Sequence, residues 1–276
     1  MSFTVGIVGL GYVGTGMKNL FNRYVAAFYD PFKDPYVEVY AKDGVKMVAK
    51  NSKEMVNGCD MALVCVPTPD EEGVCDISYV EEAVSWLKTP LIVIKSTVPP
   101  GTTERLAVKY SKNTVFSPEY LGEGGYFVPF WKYPDPHDAQ KHSFCIFGGP
   151  RGLTNRAVDL FSRVMGPHVT YMQTDSITAE FVKYMENVWI AMKVTWANQM
   201  FDAAEAMGVD YREARELWAL DGRVDKMHTC VWPEKRGFGG KCIPKDLNGF
   251  IAACREKGFV PELLEKVREV NGRYQV

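Results

Sequence analysis

The chain has 276 residues, of which 46% are hydrophobic, 24% charged and 13% aromatic, enough for one large core or two smaller ones. A net charge of -2 supplies no basic field for nucleic acid or an anionic membrane, so an anionic partner must be held by local geometry and is expected to be a small molecule. No apolar run approaches the ~20 residues that span a bilayer, and the N-terminus MSFTVGIVGL lacks the basic flank and cleavage site of a signal peptide; the expected compartment is the cytoplasm, where thiols stay reduced.

Through about residue 174, short apolar runs alternate with amphipathic stretches. The runs are TVGIV (4–8), AAFYD (26–30), MALVCV (61–66), LIVIK (91–95), TVF (114–116), SFCIF (143–147) and VTYM (169–172). Strands alternating with helix-length segments predict parallel βαβ units, hence an α/β, doubly wound parallel sheet. From Ser176 the period becomes helical almost to Met207 and restarts at Tyr211, Lys245 and Pro261. The expected organisation is a sheet domain over 1–174 and an all-helical domain over 175–276, with a long connecting helix and no internal repeat or low-complexity tether.

The first strand runs into GLGYVG, where Gly9, Gly11 and Gly14 form G-x-G-x-x-G before a plausible helix. Gly9 permits a tight turn, Gly11 lets the backbone approach a pyrophosphate, and Gly14 lets the helix pack closely with its N-terminal amides facing the anion. Asp30 ends the second strand about 20 residues on, where a carboxylate accepts hydrogen bonds from a ribose diol and repels a 2′-phosphate. The expected cofactor is therefore NAD rather than NADP, with Lys33 as a nearby cation that opposes this preference.

VPTP, with Val66, Pro67 and Thr68, and KSTVPPGTT, with Thr97, each follow a strand, at the sheet edge where open α/β folds bind ligands. Taken singly, each also reads as an ordinary turn. In SPEYLGEG (117–124), Glu119 and Glu123 flank a short apolar pair after another strand; such glutamates are solvated bystanders unless they face the same crevice. The helix over 180–200 carries Phe181, Met185, Val188, Met192 and Trp196 as an apolar stripe, which marks a core or a subunit seam. Lys183 and Asn187 are i and i+4 on one face, a cation and an amide able to point at one ligand atom.

GFGGKCIPKD (237–246) sets Cys242 between a glycine loop and a lysine–aspartate pair. The seven cysteines (59, 65, 75, 145, 230, 242, 254) are odd in number and free of CxxC spacing, which argues against a disulfide framework. The four histidines (137, 142, 168, 228) form no Cys/His cluster, so no metal is expected. A buried structural cysteine and a nucleophile both remain open on these residues alone.

Taken in order, GLGYVG, VPTP, KSTVPPGTT, SPEYLGEG, FVKYMENVWIAMKVTWANQM and GFGGKCIPKD resemble the motifs of the UDP-glucose/GDP-mannose dehydrogenases, from Gly6 to about Asn271. The resemblance implies a Rossmann-type NAD domain and a two-step, NAD-dependent oxidation of a sugar-nucleotide C6 alcohol to the acid. It implies Cys242 as the nucleophile of a thioester, Lys183 and Asn187 as oxyanion donors, Asp246 and Thr97 as groups that position or deprotonate water, and Glu119 as the base for hydrolysis. NAD is expected beside Gly9, Gly11, Tyr12, Val13, Gly14, Asp30, Lys33, Val66, Pro67, Thr68, Thr97 and Glu123. Substrate is expected beside Glu119, Tyr120, Leu121, Lys183, Asn187, Phe238, Gly239 and Cys242, with Arg223 reaching the neighbouring subunit of a homodimer joined through the long helix.

Two departures accompany the resemblance. The family normally continues into a third, nucleotide-binding domain, and this chain ends near where that domain would begin, so a short form is expected, with Lys235 and Arg236 as further diphosphate contacts. The segment between Asp30 and Asp60 is short, so a helical element over the cofactor is expected to be trimmed. UDP-glucose is the favoured substrate. GDP-mannose or UDP-N-acetylhexosamine oxidation, or a non-catalytic NAD-binding sensor or subunit, are the alternatives; a β-hydroxyacid dehydrogenase would not need Cys242.

Overall fold

The computed structural model describes residues 3–42, 45–122 and 138–275. They form two compact units: residues 1–69 with 76–183, and residues 70–75 with 184–276. The division falls inside the long helix, after the junction expected from sequence at residue 174.

The first unit begins with β1 (Val5–Val8), α1 (Tyr12–Phe21), β2 (Val25–Tyr29), β3 (Tyr36–Lys42), β4 (Val45–Asn51), α2 (Lys53–Asn57) and β5 (Met61–Val64). The short pair β6 (Asp70–Glu71) and β7 (Val74–Cys75) belongs to the second unit. The first unit resumes with α3 (Ser78–Trp86), β8 (Ile92–Ile94), α4 (Thr102–Tyr110), β9 (Thr114–Phe116), β10 (Phe144–Gly148), α5 (Arg151–Met165), β11 (Thr170–Thr174) and the start of α6 (Ser176–Ala206).

The sheet order is β11-β10-β9-β8-β5-β1-β2-β4-β3, and β2, β1, β5, β8 and β9 run parallel. β1, β5 and β8 are buried along their whole length, which explains why they read as continuous apolar runs. Alternate residues serve the two faces. Ile7, Leu63, Val93 and Val115 pack with Met17, Phe21 and Phe161 of α1 and α5. Ala62, Val64, Ile92 and Ile94 pack with Val56, Val84 and Leu106 of α2, α3 and α4. The chain leaves β1 toward β2 on one side and later returns to β5 on the other, so the C-terminal ends of β1 and β5 flank a topological switch point.

Every strand expected from sequence is present, and one region differs. Between Asp30 and Asp60 the chain forms the antiparallel pair β3–β4, which extends the sheet edge beside β2, and a single short helix, α2. Val37 and Val39 alternate with Tyr36, Glu38 and Tyr40, and Val37 pairs with the buried Ala49, a two-residue period suited to a pleated edge. α2 is capped by Ser52, whose Oγ accepts from the Met55 amide at 3.2 Å.

The opening turns of α6 are locked into the first unit. Ala179 lies against Gly148, where an added Cβ would sit 2.5 Å from the alanine methyl. Glu180 is fully buried and accepts from the backbone amides of Gly101 and Thr103, at 2.5 and 2.8 Å, at the start of α4. Burial pushes its carboxyl up to about 7 against the opposing pull of these hydrogen bonds.

In the second unit the rest of α6 packs with α8 (Ile243–Glu256) and α9 (Glu262–Gly272), where Val188, Ala191, Phe238, Leu247, Ile251 and Val267 form a core. α7 (Tyr211–Trp218) is capped by Asp210, whose Oδ1 accepts from the Arg212 amide at 2.8 Å. Its named elements are helices apart from β6–β7, which turns through Glu72 and Gly73, at φ 53° and 86°, and packs on α8 where Gly249 leaves room for Cys75. No described helix is long and apolar enough to cross a membrane.

Candidate active site

In the first unit, the expected cofactor residues line one edge of the sheet. Gly9–Gly14 follow β1, Asp30 follows β2, Val66–Thr68 follow β5, Thr97 follows β8 and Glu119–Leu121 follow β9. Gly9 has φ 83°, and a Cβ there would lie 2.7 Å from the Cys65 carbonyl oxygen. A Cβ on Gly14 would lie 2.0 Å from the Gly9 carbonyl oxygen, so any side chain would push α1 off the turn. Gly11, by contrast, faces open space: no heavy atom lies within 4 Å of its Cβ position. It caps α1 without a side-chain bond, leaving the amides of the first turn directed at that space.

Asp30 is buried at the end of β2. Its Oδ2 accepts from the Leu10 amide at 2.8 Å and its Oδ1 from the Phe32 amide at 2.9 Å. The carboxylate thereby fixes the glycine turn, and each oxygen keeps a second lone pair for a ribose diol. Lys33 is exposed, with its amide donating to the Asp30 carbonyl at 3.3 Å. An open glycine, an uncapped helix start and a carboxylate one strand away fit a dinucleotide of the NAD type. Val66 is half-buried, Pro67 exposed and Thr68 buried; the Val66 carbonyl accepts from Ser96 Oγ at 2.7 Å, tying the turn after β5 to β8.

The turn after β9 is held to α1 through Tyr12 and Leu121, two of the expected site residues, and through Gly16, which the motif reading does not single out. Tyr12 donates its hydroxyl proton to the Gly122 carbonyl, and Leu121 closes on Gly16, where a Cβ would be 2.3 Å from Leu121 Cδ1. Glu119 is buried; its Oε1 accepts from the Tyr120 and Leu121 amides at 2.9 and 3.1 Å. Its Oε2 lies 3.3 Å from Nζ of Lys95, which is also buried and donates to the Pro118 carbonyl at 3.1 Å. Lys95, from the KST segment, is a site residue that sequence reasoning missed; only the register of β8 beside β9 reveals it. A cavity of about 20 Å³ bordered by Lys95, Ser117, Glu119 and His142 adjoins the pair, room for one water. Lys183 is buried rather than solvated, its ammonium 4.9 Å from the Tyr120 ring centroid. Thr97 is half-buried. Glu123 lies outside the described residues.

In the second unit, GFGGKCIPKD is a loop that enters α8. Cys242 occupies the N-cap position with Pro244 in the first turn, and its carbonyl accepts from the Asp246 amide at 2.9 Å. Among the seven cysteines, all of them free, Cys242 is the exposed one. Burial pushes Cys59 and Cys145 up to about 11, and Cys65 and Cys254 upward as well, which keeps those thiols protonated. Asp246, nearly inaccessible, accepts from Asn187 Nδ2 at 2.5 Å and pairs with Lys245. Gly239 and Lys241 are exposed, and Phe238 is buried in the core.

The basic groups separate. Arg223 is 89% exposed and paired with Asp221, a surface contact weak enough to be exchanged for another anion. Arg236 does not behave as a diphosphate ligand within this unit: its guanidinium bonds Asn198 Oδ1 at 2.6 Å and Asp202 at 2.5 Å, and lies 4.7 Å from the ring centroids of Phe201 and Tyr274. Lys235 is exposed. Among the described residues no His/Cys/Asp/Glu group could hold a metal ion.

Known proteins match along the same line. A UDP-glucose 6-dehydrogenase of Rickettsia prowazekii is 29% identical over 269 residues, covering 88% of this chain and 59% of its own length, so the chain spans about three-fifths of that relative. A UDP-glucose dehydrogenase from Pyrobaculum islandicum superposes with a TM-score of 0.80 at 26% identity, over 99% of this chain and 68% of that one. A UDP-D-ManNAc dehydrogenase from Pyrococcus horikoshii gives 0.78 at 25%, over 98% and 68%. Residues 19–132 match the NAD binding domain, and residues 177–273 the central domain, of one family: the chain belongs to the UDP-glucose/GDP-mannose dehydrogenases, and its cofactor is NAD.

Proposed function

We propose that the chain oxidises the C6 alcohol of a sugar nucleotide to the carboxylate, with UDP-glucose as the favoured substrate and a thioester on Cys242 as the intermediate. The observation that carries this reading is the exposed thiol at the head of α8, set one turn from a buried aspartate that is bonded to Asn187. An alcohol-to-aldehyde dehydrogenase has no use for such a thiol.

NAD, when bound, accepts the hydride that leaves C6 at each of the two oxidation steps. Cys242 Sγ, as its thiolate, adds to the aldehyde carbon and forms a C–S bond. Loss of the second hydride leaves a thioester. Water then breaks the C–S bond, releasing the carboxylate and returning the thiol. Asn187, whose amide is oriented by Asp246, and Lys183 are assigned to stabilise the oxyanion as donor and cation. Asp246 and Thr97 are assigned to position water. Glu119 is assigned to take the water's proton through Oε2, the oxygen that faces the Lys95 ammonium at 3.3 Å.

The same reading includes a homodimer. Met185, Trp189, Trp196 and Met200 recur along one face of α6 and are 39–55% exposed, a stripe that a second copy would cover. Arg223 would then meet the partner's substrate. Sedimentation should show a dimer that Met185→Glu shifts to monomer; a wild-type monomer at high concentration removes this part. Seven free thiols favour a reducing compartment, the cytoplasm.

The test is incubation with NAD and a panel of UDP- and GDP-sugars, with the products analysed by mass. UDP-glucuronate as the preferred product supports the reading. Preference for UDP-ManNAc or GDP-mannose would move the substrate within the family, and no oxidation of any of them would favour a non-catalytic NAD-binding subunit.

A further inference from the structure

We propose that Asn271 is the positioning residue of the cysteine loop, holding Phe238 so that Cys242 presents its thiol in one place; this rests on the reading of Cys242 as nucleophile. Asn271 lies in the last turn of α9 and is 4% exposed. Its Oδ1 accepts from the Phe238 amide at 2.7 Å and its Nδ2 donates to the Phe238 carbonyl at 2.9 Å. One side chain thus binds both backbone groups of one loop residue, as a neighbouring strand would.

The loop is shaped to receive that clamp. Gly237 has φ 69°, and a Cβ on it would lie 2.7 Å from Asn271 Oδ1 and 3.0 Å from Tyr274 Cβ. Gln275 adds a second donor to the Phe238 carbonyl, and Tyr274 donates to Asp202 at 2.7 Å beside the stacked Arg236. The Phe238 ring enters the core with Val188, Leu247 and Val267. The far end of the loop is fixed by the first turn of α8, where the Asp246 amide meets the Cys242 carbonyl. Only Gly239, Gly240 and Lys241 lie between the two anchors, and all three are exposed. The helix fixes the carbonyl side of Cys242, and the clamp at Phe238 fixes the direction from which the chain enters it.

A nucleophile displaced by about 1 Å loses on the order of 100-fold in rate. Breaking the clamp should therefore lower kcat and leave NAD binding alone, because the cofactor residues belong to the other unit. Two variants of the full chain break it from opposite sides: Asn271→Asp removes the donor, and Gly237→Ala drives a methyl against Oδ1. Each should lower kcat for UDP-glucose oxidation by about 10- to 100-fold, with KM for NAD within about twofold of wild type. Iodoacetamide labelling of Cys242, followed by peptide mass mapping with Cys254 as the internal reference, should slow several-fold as the thiol leaves the helix start. The double variant should be little worse than either single one, whereas general loosening of the fold would add. Unchanged kcat and labelling in a folded variant, or additive losses, would overturn the proposal. If the wild-type chain oxidises no sugar nucleotide, the functional reading fails while Cys242 labelling still decides the positioning role. Should neither variant fold, hydrogen exchange on the wild-type chain decides: the Phe238 amide must exchange slowly, and fast exchange removes the clamp.

Discussion

Asn187 donates its side-chain amide to the Asp246 carboxylate, Nδ2 to Oδ2 at 2.5 Å, between positions 59 residues apart in sequence. Both groups are buried, and Lys245 pairs with the other carboxylate oxygen. The carboxylate can only accept from the amide, so it fixes which end of the Asn187 side chain is the nitrogen and holds that donor in one orientation.

Asp246→Asn should therefore weaken turnover more than binding. Losing one charge-assisted bond and the partner of Lys245 should lower kcat by about 10- to 150-fold, the equivalent of roughly 1.5–3 kcal/mol. Steady-state rates beside NAD titration by fluorescence would check this, with the NAD Kd unchanged; wild-type turnover would mean that the aspartate orients nothing of consequence.

Glu180 gives a pH signature. Its carboxyl is raised from 4.5 to about 7 by burial, so the folded chain holds this proton more tightly than the unfolded chain. Between those values the unfolded state binds fewer protons, and this contribution to stability is full below pH 4.5 and lost as pH rises through about 7. The span corresponds to about 3 kcal/mol. Glu180→Gln should flatten that part of the profile, so the gap between wild type and variant in urea unfolding should change across pH 4.5–7. A constant gap would show that Glu180 does not titrate there.

Much of the cofactor edge was legible in the sequence because its signals are local. Gly9, Gly11, Gly14 and Asp30 sit at spacings fixed by one strand, one turn and one helix, and the structure puts the glycines at the turn from β1 into α1 and Asp30 directly after β2. Other features depend on register and tertiary approach. Lys95 and Glu119 meet because β8 and β9 are neighbours, and nothing in either segment announces the other. The shortness of the segment between Asp30 and Asp60 implies a trimmed helical element, and the β3–β4 pair found there depends on cross-strand partners such as Glu38 and Lys46 that lie on separate strands. That Cys242 is the exposed cysteine of the seven depends on tertiary burial, which the residues around it do not show. Lys183 reads as a surface lysine on its helix, and only the Tyr120 ring shows otherwise.

Asp30 should set cofactor preference. Asp30→Ala removes the acceptor expected for the ribose diol and also frees the Leu10 amide, so the NAD Kd should rise about 10-fold or more while discrimination against NADP shrinks. Fluorescence titration with both cofactors reads this directly. Unchanged NAD affinity would place the ribose elsewhere.

The central claim is that one chain carries a substrate through both oxidations by way of Cys242. The measurement that tests it most directly is the ratio of NADH formed to UDP-glucose consumed at saturating NAD, taken side by side for wild type and Cys242→Ser. The account predicts two NADH per sugar nucleotide for wild type, with the acid as product, and no acid from Cys242→Ser although NAD still binds. One NADH per sugar nucleotide in wild type, or acid formed at the wild-type rate by Cys242→Ser, would contradict it.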